Sequence, residues 1–242
     1  MNTIKLNDRK AKIIAHRGLS GLEKENTCPA FVAAANRSYF GIETDIHVTK
    51  DGQFVVIHDE TTKRISLGEY DINVEESDYS ELEGILLPDI DGNKLRSDIR
   101  IPLLNDYISI CKKYNKISVL EIKNYFTFDN LKKVCNELES LDYLDSIIFI
   151  SFNMDNCLNL RKILPKVKIQ YLTDNKITDD LINILVENNF GVDVKYTMLS
   201  KDVVSSLHKS GIEVNCWTCD DKSIAEKLIS MGVDYITTNI LE

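Results

Sequence analysis

Positive charge is in short supply in this 242-residue chain, where 29 lysines and arginines face 38 acidic residues and the formal net charge is −9. Nucleic acid and anionic membranes need a basic face, so neither is expected as a partner. Long apolar runs are missing too. None approaches the roughly 20 residues of a membrane span, and the opening MNTIKLNDRKAK has no apolar stretch to serve as a signal peptide. A cytoplasmic location is the expectation. No Pro/Gly/Ser-rich linker interrupts the chain, so residues 1–242 are read as one domain. Cysteine pairs are lacking as well: the six thiols at 28, 111, 135, 157, 216 and 219 are scattered, and Cys216-Trp-Thr-Cys219 has no second half-site. Zinc and redox roles are therefore set aside, and free thiols in a reducing compartment are expected.

What is present is alternation. Apolar strand-like runs fall near 13–16, 41–47, 118–122, 146–151, 167–172, 191–195, 212–217 and 233–237. Amphipathic helical segments lie between them, the first opened by Pro29 and the last near 222–230. Eight strands joined by helices argue for an α/β fold, an eight-stranded parallel (β/α)8 barrel of the TIM type with its last helix short or missing. An open doubly wound sheet is the alternative. Asp51-Gly52 predicts a tight hairpin into 54–57, an extension of the second unit and not a ninth barrel strand. Residues 60–102 form an irregular cover, with an acidic run at Glu75-Glu76-Ser77-Asp78, weak helical character over 80–86, and a turn at Asp91-Gly92. They read as polar apart from Ile85-Leu86-Leu87.

Three of the four histidines fall between residues 13 and 59. Within that stretch Glu43 and Asp45 share one strand face, because residues two apart point the same way. Two such carboxylates repel each other and lose hydration unless a cation lies between them, and oxygen ligands suit a hard divalent ion. In the third strand the same parity sets Glu121 and Lys123 against Leu120 and Ile122. The apolar pair packs on helices, so Glu121 becomes a third carboxylate at the barrel mouth. Arg17 and Lys123 bring positive charge suited to an anionic ligand. His16 and His58 end strand-like runs at that mouth; His47 shares the parity of Glu43 and Asp45, and His208 reads as a surface residue on a helix. Trp217, at the end of the seventh strand, fits a rim wall or a substrate contact.

Taken together, AHRG at 15–18, ENT at 25–27, IETDIHVTKDGQFVVIHD at 42–59, RIPLL at 100–104, LEIK at 120–123, WTCDD at 217–221 and GVDYITTN at 232–239 resemble the glycerophosphodiester phosphodiesterase family, in order and over nearly the whole length. The resemblance implies an eight-stranded α/β barrel and metal-dependent hydrolysis of glycerophosphodiesters to glycerol phosphate and an alcohol. It implies His16 and His58 as an acid–base pair, and Glu43, Asp45 and Glu121 as ligands of one divalent cation, Mg or Ca. Arg17 and Lys123 become phosphate contacts; Trp217, from its place at the mouth and not from the resemblance, is the third expected substrate-binding residue. The resemblance also implies that the glycerol hydroxyl next to the phosphate attacks first, since neither Ser20 nor Thr27 has a family role. Lys24 stands where the family has the proline of PENT, and Thr238-Asn239 where it has Thr-Asp. The small-molecule diester is the expected partner; the oligomeric state is open. A lysophospholipase D-like activity and a barrel that binds phosphodiesters without turnover are the competing readings. An exposed apolar lip would favour the first, and a proton-transfer pair argues against the second.

Overall fold

The computed structural model describes residues 2–7 and 10–242. Its strands are β1 (Lys12–Ala15), β2 (Gly41–Val48), β3 (Phe54–Val56), β4 (Ile117–Ile122), β5 (Ile147–Ser151), β6 (Lys168–Thr173), β7 (Gly191–Lys195), β8 (Val214–Trp217) and β9 (Tyr235–Thr238). Between them run α1 (Cys28–Ala35), α2 (Leu104–Lys113), α3 (Phe128–Ser140), α4 (Met154–Ile163), α5 (Asp179–Glu187), α6 (Lys201–Lys209) and α7 (Lys222–Met231). Sheet order is β1-β9-β8-β7-β6-β5-β4-β2, and a β1–β2 pairing closes the ring, so eight parallel strands form a barrel. The expected closed barrel is what the chain builds, and the open sheet is excluded. No helix follows β9 among the described residues; Leu241 instead bridges Ile4. Nor is any described helix long and apolar enough to cross a membrane.

Helix starts follow local chemistry. Thr127, Asn153, Thr178, Ser200 and Asp221 each accept a first-turn backbone N–H, which satisfies donors that a helix cannot pair internally. The outward strand residues Ile42, Ile46, Leu120 and Ile122 join Phe31, Leu104 and Tyr107 in the core between sheet and helices. Inside the ring Ile14, Val119, Ile148, Ile150, Leu172 and Tyr235 pack on one another. Strand parity therefore separates two apolar layers and leaves the polar inward residues at the upper end.

The segment from 60 to 102 departs from the expected polar cover. Ile65, Val74, Leu82, Ile85, Leu87, Ile99 and Ile101 bury themselves with Val55 and Ile57 in a second small core, seeded by β3. The helical character anticipated over 80–86 shrinks to a single 3-10 turn at Tyr79–Glu81, since Gly84 and Pro88 disfavour a longer helix. Ile85 and Leu87 turn inward, and the apolar side chains left outside are Leu67, Ile90 and Leu95, at 68, 55 and 91 % exposure. Sequence pattern misjudged this segment because its apolar residues are spaced for neither a strand nor a helix.

The turn after β1 packs closely against the start of α1. Arg17 and Gly18 both take left-handed backbone angles, φ 52° and 77°, and a Cβ on Gly18 would lie 2.7 Å from the Ala30 backbone. This sharp turn lets the Gly18 N–H reach the Glu43 carbonyl at 3.3 Å. Gly18→Ala is expected to cost about 1–3 kcal/mol, the range for a residue with a side chain held in such a conformation. Urea unfolding measures this, and a variant as stable as the parent would show that the turn relaxes freely.

Candidate active site

The site arises from how β2 is shared. One edge of β2 pairs with β1 at Gly41 and Ile42, and the same edge pairs with β3 at Ile46, His47 and Val48. Between these two pairings lie Glu43 and Asp45, flanked by the chain leaving β1, which carries His16 and Arg17, and the chain leaving β3, which carries His58. On the other edge, Asp45 stands beside Glu121 of β4 in register. Adjacent strands lie about 4.8 Å apart, and a carboxylate oxygen from each of Glu43, Asp45 and Glu121 falls within 4.8 Å of the others. All three are buried.

Crowded carboxylates cannot all ionise. Burial and then the charge of Asp45 push Glu43 well above the usual carboxylate range. The same two causes, in the same order, raise Glu121 to about 8. Burial works against Asp45 as well, but the charges of Arg17, Lys123 and His58 outweigh it and hold this carboxylate ionised. Arg17 Nε lies 3.4 Å from Asp45 Oδ2, and Lys123 Nζ sits 2.8 Å from Glu121 and 3.7 Å from Asp45. Asn26 donates to Asp45 Oδ2 at 2.8 Å and accepts from Thr44 at 2.8 Å. Asp45 Oδ1 is buried with no hydrogen-bond partner. An all-oxygen trio with one orphaned ligand atom fits a hard divalent cation.

The two histidines are anchored differently. His16 Nδ1 lies 2.8 Å from Asn239 Oδ1. The Asn239 amide nitrogen donates to Asp220 at 2.6 Å, and a carboxylate only accepts, so the amide oxygen faces the imidazole. Nδ1 therefore carries the hydrogen, and Nε2, 4.0 Å from Glu43, is left as an acceptor. Burial first and the Arg17 charge second bring its pKa down to about 4. His58 Nδ1 instead meets a carboxylate, Asp59, at 2.6 Å, and Arg64 holds Asp59 in turn at 2.6 Å. Burial lowers the His58 pKa and the Asp45 charge opposes that.

Every residue expected at the site lines one upper region. A cavity of about 50 Å³ is bounded by His16, Arg17, Glu43, His58, Glu121 and Trp217 together with Asp193. Asp45 lies immediately behind it, and Lys123 borders the neighbouring clefts. Trp217 donates its indole N–H to the Asp193 carbonyl at 3.3 Å and meets Phe152 edge-on. His47 is not part of this cavity: fully buried, it bridges Glu75 at 2.8 Å and the His58 carbonyl at 3.2 Å. His208 is exposed and paired with Asp234, and all six cysteines are free thiols. A larger apolar cavity of about 440 Å³ opens at the opposite barrel end, where Lys12, Ile117, Ile147 and Lys168 begin their strands, away from these groups.

Sequence reasoning missed the supporting residues. Glu25 takes Arg17 at 2.9 Å and both terminal nitrogens of Arg64 at 2.8 Å, and Asn239, Asp59 and Asp193 complete the surroundings. Glu25 and Asn239 stand inside the ENT and GVDYITTN motifs, so a signal existed. For Asp193 and Arg64 none did.

Comparison with known proteins gives a consistent result. The sequence profile of the Glycerophosphoryl diester phosphodiesterase family matches residues 16–242. A glycerophosphodiester phosphodiesterase of Caldanaerobacter subterraneus is 30 % identical over 95 % of this chain and 94 % of its own. Among solved structures, a phosphodiesterase of Oleispira antarctica, in complex with the product sn-glycerol-3-phosphate, superposes with a TM-score of 0.86 at 23 % identity, covering 94 % of this chain and 92 % of that one. A glycerophosphodiester phosphodiesterase of Parabacteroides distasonis gives 0.79 at 28 % identity, covering 96 % and 94 %.

The Glu25 pairing yields a pH prediction. Burial opposes its ionisation, but hydrogen bonds from Arg64 and the charge of Arg17 bring its pKa from 4.5 down to about 2. A depressed carboxylate stabilises the fold above its unfolded value, and that contribution fades as pH falls through the folded one. Glu25→Gln is therefore expected to lower stability at neutral pH by about 1–3 kcal/mol and to flatten the acid limb of Tm between 4.5 and about 2. Thermal melts across that window check it; an unchanged limb would show that the Arg17–Glu25–Arg64 chain adds nothing.

Proposed function

The chain belongs to the glycerophosphoryl diester phosphodiesterase family, and on that premise we propose that it hydrolyses glycerophosphodiesters to glycerol phosphate and an alcohol through His16, His58 and a divalent cation on Glu43, Asp45 and Glu121. One observation carries the reading: two histidines, each anchored at Nδ1, border the same small cavity as two of three converging carboxylates. A barrel that only bound phosphodiesters would have no use for two anchored imidazoles facing one cavity.

The different anchors support a division of the proton roles. His16, bound to a neutral amide and held unprotonated by burial, is suited to accept a proton at Nε2. His58, backed by the Asp59 carboxylate, is suited to carry one, since the counter-charge stabilises its imidazolium. His16 removes the proton from the glycerol hydroxyl next to the phosphate, and that oxygen forms a bond to phosphorus. His58 gives its proton to the departing alcohol oxygen as the P–O bond breaks. Water then opens the resulting cyclic phosphate with the roles exchanged. Arg17 and Lys123 hold phosphate oxygens and offset the negative charge that grows there. Trp217 and Phe152 offer apolar surface to the glycerol carbons. A bound Mg or Ca ion supplies a Lewis acid against a phosphoryl oxygen. The six free thiols fit a reducing, cytoplasmic setting.

A second reading concerns the leaving group. Leu67, Ile90 and Leu95 stand exposed on residues 60–102, and apolar contacts there would favour diesters carrying an acyl chain, as in a lysophospholipase D-like reaction. Comparing turnover of a short-headgroup diester with that of a lysophospholipid decides it.

Because burial and Asp45 keep Glu43 and Glu121 protonated, up to about 8 for Glu121, cation binding must expel protons. Affinity for Mg or Ca is expected to fall as pH drops, with about one to two protons released per ion. Calorimetry in buffers of different ionisation enthalpy reads this. Glu121→Ala should weaken binding with the fold intact, and full turnover by chelator-stripped protein would overturn the cation assignment.

The histidine roles are tested by substrate. His16→Ala and His58→Ala should each lower kcat by about 10²–10⁴-fold, with cation binding retained. If the neighbouring hydroxyl is the nucleophile, its 2-deoxy and 2-O-methyl analogues should lose kcat while KM changes far less, because an intramolecular attack has been removed. Comparable kcat on the deoxy diester would instead point to direct attack by water.

A further inference from the structure

Asp193 belongs to none of the roles described above. It sits on β7, diametrically across the eight-strand ring from β2, and is 1 % exposed. Its Oδ1 is buried with no hydrogen-bond partner, yet the residue borders the same cavity as His16, His58 and Trp217. An unpaired buried carboxyl costs free energy, typically offset by a partner. Its neighbours do not bond it: Gln170 accepts from Asn215 at 3.0 Å while its own amide nitrogen stays buried and unpaired, and Trp217 uses the Asp193 carbonyl, not its side chain.

We infer that Asp193 is a specificity-determining residue that hydrogen-bonds the far, non-reacting hydroxyl of the substrate's glycerol end. This rests on the function proposed above and names which end of the diester enters the barrel. Three observations support it. The cavity holds only about 50 Å³, room for a few heavy atoms and too little for a head group, whereas clefts of about 360 to 480 Å³ open beside it. The reacting hydroxyl and phosphate must lie near His16, Glu43 and Glu121, on β1, β2 and β4; a group reaching Asp193 lies on the other side of the ring, where the far carbon of glycerol would extend. Third, the buried, unpaired carboxyl oxygen can accept from a neutral hydroxyl that reaches it, and burial raises this carboxyl well above the usual range.

The test separates recognition from turnover. With Mg or Ca present, calorimetry compares sn-glycerol 3-phosphate with propane-1,2-diol 1-phosphate, which lacks only the far hydroxyl, on the parent protein, Asp193→Asn and Asp193→Ala. The parent should prefer glycerol phosphate by about 10- to 100-fold, because a site built to pair a hydroxyl disfavours its absence. Asp193→Ala should bring the two ligands within about threefold, by weakening glycerol phosphate alone, and Asp193→Asn, which keeps an acceptor and a donor, should retain part of the preference. The corresponding diesters should show the same pattern in KM, with kcat little changed. A preference that survives Asp193→Ala, or an equal loss for both ligands, would overturn the inference and leave Asp193 with a structural role. Should the alanine variant misfold, the nearly isosteric Asp193→Asn decides the matter, and an undiminished preference there would overturn the inference too. A parent that discriminates the two phosphates but cleaves neither diester would sink the proposed hydrolysis and leave the Asp193 assignment standing.

Discussion

Three carboxyl groups buried in a barrel wall beside Arg17 and Lys123 set the terms for the rest of the structure. Glu43, Asp45 and Glu121 arrive there because β2 and β4 are parallel neighbours in register and because strand parity sends their apolar partners outward. The arrangement opposes stability, since desolvated like charges repel. The chain answers with Arg17, Lys123 and the Asn26 amide around Asp45, and leaves the other two groups protonated. Protonation removes most of the repulsion, and one buried oxygen of Asp45 is left without a partner.

The same economy of charge distinguishes the histidines. A carboxylate behind an imidazole favours its charged form, while burial of the ring opposes it. Here the group behind His16 is Asn239, and the charge is displaced one residue outward to Asp220. Behind His58 the carboxylate touches the ring directly. The Thr238-Asn239 departure from the family's Thr-Asp pattern thus has a physical consequence at His16: orientation is kept while counter-charge is withdrawn.

Much of this was legible beforehand because it depends on short-range pattern. Strand parity placed Glu43, Asp45, Glu121 and Lys123 on the inner face, and Asp51-Gly52 gave the β2–β3 hairpin that carries His58 to the mouth. The eight barrel strands fall within about two residues of where the apolar runs put them. What stayed hidden depends on distance in the chain. The Arg17–Glu25–Arg64–Asp59 chain joins two loops far apart in sequence, and Asp193 looks in sequence like one more strand residue in GVDVK. Its significance lies in an unpaired oxygen, which no spacing reveals. The 60–102 segment was misjudged for a related reason: its core is assembled from residues scattered along the whole segment onto Val55 and Ile57.

That second core alters how the cover relates to the chemistry. Its apolar residues bind one another and β3, while its links to the barrel mouth include charged pairs: Arg64 to Glu25, Arg96 to Glu23, and Glu75 to His47. Apolar packing fixes the internal shape of such a unit, whereas partly exposed ion pairs fix its position weakly and depend on salt. His47 is the exception, because it is fully buried and also holds the His58 carbonyl. This buried polar contact adds to the apolar packing that holds the cover on β3. Its outer face carries the exposed Leu67, Ile90 and Leu95, while its inner face packs on β3 and, through Glu75 and the buried His47, reaches the His58 backbone.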